Sequence, residues 1–547
     1  MMGYEILAKS LHEHDVDAIF YLLAGPMVSC ANQCAAEGIS VIDVRHEQAA
    51  AMMAIAHARL LRKPAVCMAG SGPGTTNLIT GIATAWADGS PVIAIGGSSS
   101  MSQLGMPAFQ EVDQVALFEP ITRSSERCYE TRRIPEYVDR AFRSAFGFHP
   151  GPAFLDMPAD VLYNDIPEEE ICWAEPPRQR LRSYGDPAAI DDALNVLADA
   201  RRPVLISGSG VLWSQAEHAL RAFVEQAGIP FWTTPQGRGV IPEDHPLSFL
   251  AARSTAFKEC DAIVQVGTRQ NYLVGFMRSP RWSTEAKLIQ MDIDPEEIGR
   301  NRHPTVGIAG DAKAILEQLT AADGDRLEPS RYAEWVSRLR ALNEDKLDKA
   351  SHEVQADQKP MHPIRLCQEI RDWLPRDAVL VVDGHEILSY ARQTIPFYSP
   401  QSLNSGPFGC MGVGLPLGIG AQVALPGALV VVLHGDGSFG LNAMEMDTAI
   451  RHNLPVICII SNNGGWTAEQ SNRPRVGRHL GFTRYDLMFD QLGAFTRYVE
   501  DPGDIKEALE AAVASKKPAV INVITDPYAM APGSASTSEA TTYYLNT

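Results

Sequence analysis

Short apolar runs rich in Val, Ile, Leu and Ala recur along the chain, and stretches with helical periodicity separate them. Residues 18–23, 41–44, 64–68 and 91–96 form the first set. Residues 203–206, 229–232, 262–266 and 287–291 form the second, and 379–382, 430–433, 457–460 and 519–523 the third. Runs of this length, apolar on both faces, predict buried parallel strands. Helical stretches at 4–14 and at the small-residue segment 49–61 alternate with them, so the pattern predicts an α/β chain of three doubly wound parallel-sheet domains. Two stretches break the rhythm. Residues 163–186 include Pro167-Glu168-Glu169-Glu170 and Pro176-Pro177, and 323–359 are charged and helical; both read as linkers, the second solvated on most of its length. The expected domains are therefore 1–165, 186–320 and 360–527, with a Ser-, Thr-, Ala- and Gly-rich tail, 528–547, expected to be mobile. The shared pattern of the first and third segments predicts two similar domains facing one another.

Length agrees with this count, since 547 residues correspond to about three or four domains. Charge narrows the partners: 47 basic against 66 acidic side chains give −19, which argues against general binding to nucleic acid or anionic membrane. Nine scattered cysteines without a CxxC pair predict neither a disulfide framework nor a zinc site, and favour a reducing compartment. The chain starts without a basic, then apolar, leader, and no apolar run reaches membrane-span length. A soluble, cytoplasmic protein is expected.

The densest chemical signal follows two apolar runs of the third segment. Gly435-Asp436-Gly437 stands after the run 430–433, and Asn462-Asn463 after 457–460, with 24 residues between Gly437 and Asn462. That interval holds one crossover helix, expected near 442–451, and the second strand. Ligands bind at the carboxyl ends of strands in open α/β sheets. There Asp436 and an Asn offer two oxygens to a hard cation, which takes its remaining ligands from phosphate and water. Gly437 and the amides after it can approach a diphosphate at a helix start.

With Arg45-His46-Glu47, Gly70-Ser71-Gly72-Pro73-Gly74 and Asn77, Phe109-Gln110-Glu111, Gly151-Pro152 and Pro158, Gly237-Arg238-Gly239, His245-Pro246, and Met411-Gly412 with Gly414-Leu415-Pro416, this pair of motifs resembles the thiamine diphosphate (ThDP) enzymes of the acetolactate synthase-like group over nearly the whole chain. The resemblance implies pyrimidine-binding, central Rossmann-like and diphosphate-binding domains, with ThDP and Mg²⁺. It implies that Glu47 hydrogen-bonds the aminopyrimidine and promotes loss of the thiazolium C2 proton. Met411 is the apolar wedge between the cofactor's rings, and Gly409 supplies a carbonyl to its amino group. Asp436, Asn463 and the Gly465 carbonyl ligate the metal. Gly437, Ser438, His385 and Glu386 contact the diphosphate, Glu386 through its backbone because a carboxylate beside phosphate is unfavourable. The resemblance further implies sites completed across subunits, in a homodimer or homotetramer. It leaves open whether the central domain holds ADP, the nucleotide of CoA, or nothing.

Within the group, Gly267-Thr268-Arg269-Gln270-Asn271 departs from the acetolactate synthase pattern. Residues 383–392 are most like the 2-hydroxyacyl-CoA lyases and oxalyl-CoA decarboxylases. The implied reaction cleaves, or in reverse forms, the C1–C2 bond of a 2-hydroxyacyl-CoA, giving formyl-CoA and an aldehyde or ketone. Gln110 is a candidate for the substrate oxygen, Trp466 for the acyl pocket, Arg392 for a CoA phosphate, and the tail for a lid. The alternatives are a ThDP decarboxylase or carboligase (oxalyl-CoA decarboxylase, benzaldehyde lyase or acetolactate synthase-like), and a non-catalytic regulatory or binding protein on the same scaffold.

Overall fold

Residues 1–176, 181–352, 358–470 and 475–531 are described by a computed structural model. The strands are β1 Ala18–Tyr21, β2 Ser40–Asp43, β3 Ala65–Ala69, β4 Val92–Ser98, β5 Ser125–Arg127, β6 Ala153–Pro158, β7 Pro203–Ser207, β8 Phe231–Thr233, β9 Ala262–Val266, β10 Lys287–Asp292, β11 Val306–Ala309, β12 Val379–Asp383, β13 Ser402–Asn404, β14 Val430–Gly435, β15 Ile457–Asn462, β16 Phe495–Val499 and β17 Ala519–Ile524. They form three sheets of six, five and six strands. The ladders within them are all parallel.

The first sheet has order β2-β1-β3-β4-β6-β5 and the third β13-β12-β14-β15-β17-β16, the same permutation twice. The central sheet runs β11-β10-β9-β7-β8. Apolar runs at β3, β4, β9, β12 and β15 are buried along their whole length, as helices on both faces require.

The outer domains meet through two helices poor in large side chains. Glu47–Leu61 carries Ala49, Ala50, Ala51, Ala54, Ala56 and Ala58, all buried. Gly414–Ala424 is glycine-rich, and a Cβ at Gly420 would lie 2.2 Å from the Met53 carbonyl oxygen, so the backbones touch where they cross. The entry to the Glu47 helix is thereby held against the diphosphate half of the same chain.

Two expectations change. The crossover helix begins at Asp436, not near Asn442: Asp436–Asn442 is one helix and Glu445–Arg451 a second, so the Gly-Asp-Gly stretch includes a first helical turn. The charged stretch after 323 contains the helix Ala333–His352, whose Trp335 and Leu339 are buried in the central-domain core. It docks on that domain by an apolar stripe that its high charge content obscured. The tail from 532 onward lies outside the described residues.

Candidate active site

Glu47 occupies the first turn of its helix, beyond the carboxyl end of β2. His46 caps the helix, its Nδ1 accepting from the Gln48 amide at 3.1 Å. Glu445, from the third domain, accepts from the Arg45 and His46 amides at 3.1 and 3.0 Å. Burial raises the pKa of Glu445, and these amides and the Thr448 hydroxyl oppose the shift. Glu47 itself is 6% exposed. Its Oε2 accepts from Asn77 Nδ2 at 2.9 Å, while its Oε1 lies 3.3 Å from where a Gly74 Cβ would stand. Any side chain at 74 would crowd the carboxylate. The 70–77 turn also touches Gln110, whose Oε1 accepts from Ser71 Oγ at 2.7 Å.

The other half stands at the ends of β12, β14 and β15. Asp436 is 2% exposed, and its Oδ2 has no hydrogen-bond partner. Burial pushes its pKa up to about 7, against hydrogen bonds from the Gly437 amide, its own amide and that of Gly465. Of the two asparagines, Asn462 is internal: its Nδ2 donates to the Thr483 carbonyl and Asn522 Oδ1 at 3.0 and 3.1 Å. Asn463 is half-buried, with Oδ1 accepting from the Gly465 amide at 3.3 Å. A Cβ at Gly437 would lie 2.7 Å from the Trp466 ring. Trp466, expected at an acyl pocket, thus packs against the diphosphate motif. The Ser438 hydroxyl donates to the Asp383 and Gly435 carbonyls at 3.2 and 3.0 Å, which leaves its backbone for a phosphate contact.

Glu386 is buried. Its Oε2 accepts from the Ala531 amide at 2.9 Å and its Oε1 from the Ala468 amide at 3.4 Å. His385 Nδ1 lies 3.6 Å from that carboxylate. Gly406, Gly409 and Gly412 all adopt positive φ, so the segment carrying Gly409 and half-buried Met411 follows a path built on glycine. Asn442 bridges the halves: its Oδ1 accepts from Gln48 Nε2 at 2.8 Å, and its Nδ2 donates to the Gly412 carbonyl at 2.7 Å.

These donors fit a hard cation and a diphosphate. One unpartnered buried carboxylate oxygen, one side-chain amide and a backbone carbonyl are a magnesium-like set. Among the described residues no cluster of three or more His, Cys, Asp or Glu offers an alternative cation site. Several supports had no signal in the sequence. Arg478, 5% exposed, donates to the carbonyls of Asn463, Gly464 and Thr467 in the loop after β15. Tyr485 reaches the Asp436 carbonyl at 3.4 Å. Their partners lie many positions away, where no local pattern records them.

A cleft lies elsewhere, where the central domain meets the first and third domains. It encloses about 860 Å³, part of it open to solvent, and is lined by Gly210, Trp213, Arg269, Asp292, Asp311 and Pro407 among others. Asp292 ends β10, and burial pushes its pKa up to about 7. Pro407, two residues before Gly409, also accepts from Tyr272 Oη at 2.9 Å. Also on the central domain, Arg253 has its pKa lowered by desolvation and then by the charges of Arg281 and Arg238. Arg238 donates to the Ile395 carbonyl at 3.0 Å, immediately beyond the helix Glu386–Thr394 that carries half-buried Arg392.

Three family models match the chain: thiamine pyrophosphate enzyme, N-terminal TPP binding domain, over 1–117; central domain, over 190–319; and C-terminal TPP binding domain, over 387–523. The 2-hydroxyacyl-CoA lyase of Arabidopsis thaliana is 34% identical, the alignment covering 96% of each chain. The acetolactate synthase large subunit IlvG of Mycobacterium tuberculosis is also 34% identical, covering 96% of each. The oxalyl-CoA decarboxylase of Escherichia coli is 32% identical, covering 96% of this chain and 95% of the relative. The three activities in those names stand at nearly equal distance.

Proposed function

This chain belongs to the thiamine pyrophosphate enzyme family, and we propose that it is a ThDP- and Mg²⁺-dependent lyase that cleaves, or in reverse forms, the C1–C2 bond of a 2-hydroxyacyl-CoA. The products of cleavage are formyl-CoA and an aldehyde or ketone. The observation that carries the CoA assignment is the arginine group Arg253, Arg281 and Arg238 at the seam with the Arg392 helix, in a chain of net charge −19. Desolvation first, and then the charges of Arg281 and Arg238, lower the pKa of Arg253, while Arg238 is held by Glu243; such a site favours an anion, and a CoA thioester brings three phosphates.

Bound ThDP would supply a carbon nucleophile for the thioester substrate. Asn77 holds Glu47 Oε2, and Oε1 would be the oxygen that exchanges a proton with the aminopyrimidine of bound ThDP. Asp436, whose Oδ2 has no hydrogen-bond partner, would hold Mg²⁺ together with Asn463 and the Gly465 carbonyl. The amides of Gly437 and Ser438, at the start of a helix, receive the diphosphate. Gln110 presents its amide to the substrate oxygen at which charge develops. Met411 and Gly409 orient the cofactor's rings. The central cleft takes a nucleotide, ADP or that of CoA, with Asp292 at a strand end where ribose hydroxyls are bound in Rossmann-like sheets.

The test is a product assay with ThDP and Mg²⁺. Formyl-CoA plus formaldehyde or acetone should yield a 2-hydroxyacyl-CoA, and that product alone should be cleaved. Turnover of pyruvate or benzoin without any CoA product would move the function to the free-acid branch of the family. That branch is the second reading, favoured by the equal identity to an acetolactate synthase.

A further inference from the structure

The helix Gln114–Phe118 follows the Gln110 loop and begins with a side chain that is only 1% exposed. Gln114 Oε1 accepts from the Gly72 amide at 2.8 Å. Its Nε2 donates to the Gly97 carbonyl at 3.0 Å and to Asp156 Oδ1 at 2.7 Å. Asp156 is wholly buried within β6 and paired with Arg127. The Gln114 amide is therefore clamped on both ends, and one end holds a single backbone N–H in the 70–77 turn.

That N–H stands at a constrained place. Gly72 has φ +56°, and a Cβ there would lie 2.4 Å from the Gln110 carbonyl oxygen. Gln110 itself has φ +57°, a left-handed conformation costly for a residue with a side chain. Its exposed side chain is nonetheless tied to Ser71. Two residues beyond Gly72, Gly74 abuts Glu47, and Asn77 donates to the same carboxylate. One short turn thus touches Gln110 at one end and Glu47 at the other.

We propose that Gln114 is a positioning residue: by holding the Gly72 amide it keeps Gln110 in its left-handed conformation and sets the spacing between Gln110 and Glu47 on which substrate turnover depends. This rests on the reading of Gln110 as the substrate-facing amide, and its test separates the two. Gln114→Met keeps the volume and removes all three hydrogen bonds. It should lower kcat/KM on the order of a hundredfold, the scale of a small misplacement of reacting groups, while ThDP affinity, followed by tryptophan fluorescence, stays unchanged. Introduced into Gln110→Ala, the same change should cost nothing more, because Gln114 acts through Gln110. Losses that multiply, or a lower melting temperature with kcat/KM intact, overturn the proposal. If the protein turns over a free 2-oxo acid but no acyl-CoA, the cycle is run on that substrate, and only the lyase reading fails. A measurement that needs no substrate accompanies it: amide hydrogen exchange must speed up at 70–74 and 108–112 in Gln114→Met, and unchanged exchange there rejects the role.

Discussion

In the proposed reaction Glu47 would concentrate the chemistry in one carboxyl group, and its surroundings treat its two oxygens differently. Oε2 is held by Asn77, and Oε1 faces the space kept clear by Gly74. A group that shuttles a proton needs this arrangement, because one oxygen must stay oriented while the other changes protonation. Glu47→Gln is nearly isosteric and can keep the Asn77 contact through its carbonyl oxygen. The expected outcome is ThDP binding close to that of the parent, with exchange of the cofactor C2 proton slowed by about 10²–10⁴-fold, the usual worth of a general acid–base group. NMR of quenched samples in D₂O measures that exchange without any substrate. Exchange at the parental rate would remove Glu47 from the chemistry altogether.

At the scale of the element, the end of β10 carries a cost that pH should reveal. Asp292 is buried, with a pKa pushed from 3.8 up to about 7. Between those values the folded protein binds a proton that the unfolded chain does not. Stability therefore falls as pH rises through that window, and the full penalty stands above pH 7. Asp292→Asn keeps an acceptor for the Asp294 amide, 3.1 Å away in the parent. It should raise the melting temperature at pH 8 and leave it nearly unchanged at pH 4, with a ceiling of about 4 kcal/mol. A melting temperature equally altered at both pH values would contradict this account. The same strand shows what a sequence can reveal: β10, like β9, β12, β14 and β15, is a run of Val, Ile, Leu and Met buried in a parallel sheet, and its periodicity was readable. The strands that escaped reading are short or interrupted. β13 has three residues, β16 carries Arg497 on an edge, and fully buried β6 contains Asp156 and ends at Pro158. Among site residues, Asp436 and Glu47 stand at strand ends in short motifs and were legible. Glu445, Gln114 and Arg478 were not, because each acts on a backbone brought near only by the fold.

At the scale of the whole molecule, the two half-sites are bordered by apolar side chains left in water by a single chain. Phe109, beside Gln110, is 84% exposed, and Phe408, beside Gly409, is 53% exposed. Leu441, on the helix Asp436–Asn442, is 51% exposed, while Phe482 and Leu487, beyond the loop after β15, are 48% and 55% exposed. The Phe482 ring also lies 3.5 Å from the Cβ position of Gly464. Large apolar groups gathered around a polar site mark a surface that another protein covers, and the repeated sheet topology of the outer domains suits a symmetric pairing in which each half faces its counterpart. The expected solution state is a dimer or tetramer, measured by sedimentation velocity. The double change Phe482→Glu and Leu487→Glu places two charges on that surface and should shift the protein toward smaller species. Turnover and ThDP affinity should fall together with the assembled fraction, because each site would lose the residues its partner contributes. The altered protein should still melt cooperatively, since neither side chain belongs to a domain core. A monomeric parent with full activity would show instead that Glu47 and Asp436 of one chain serve the same cofactor, and would reassign the exposed aromatics to the binding of substrate.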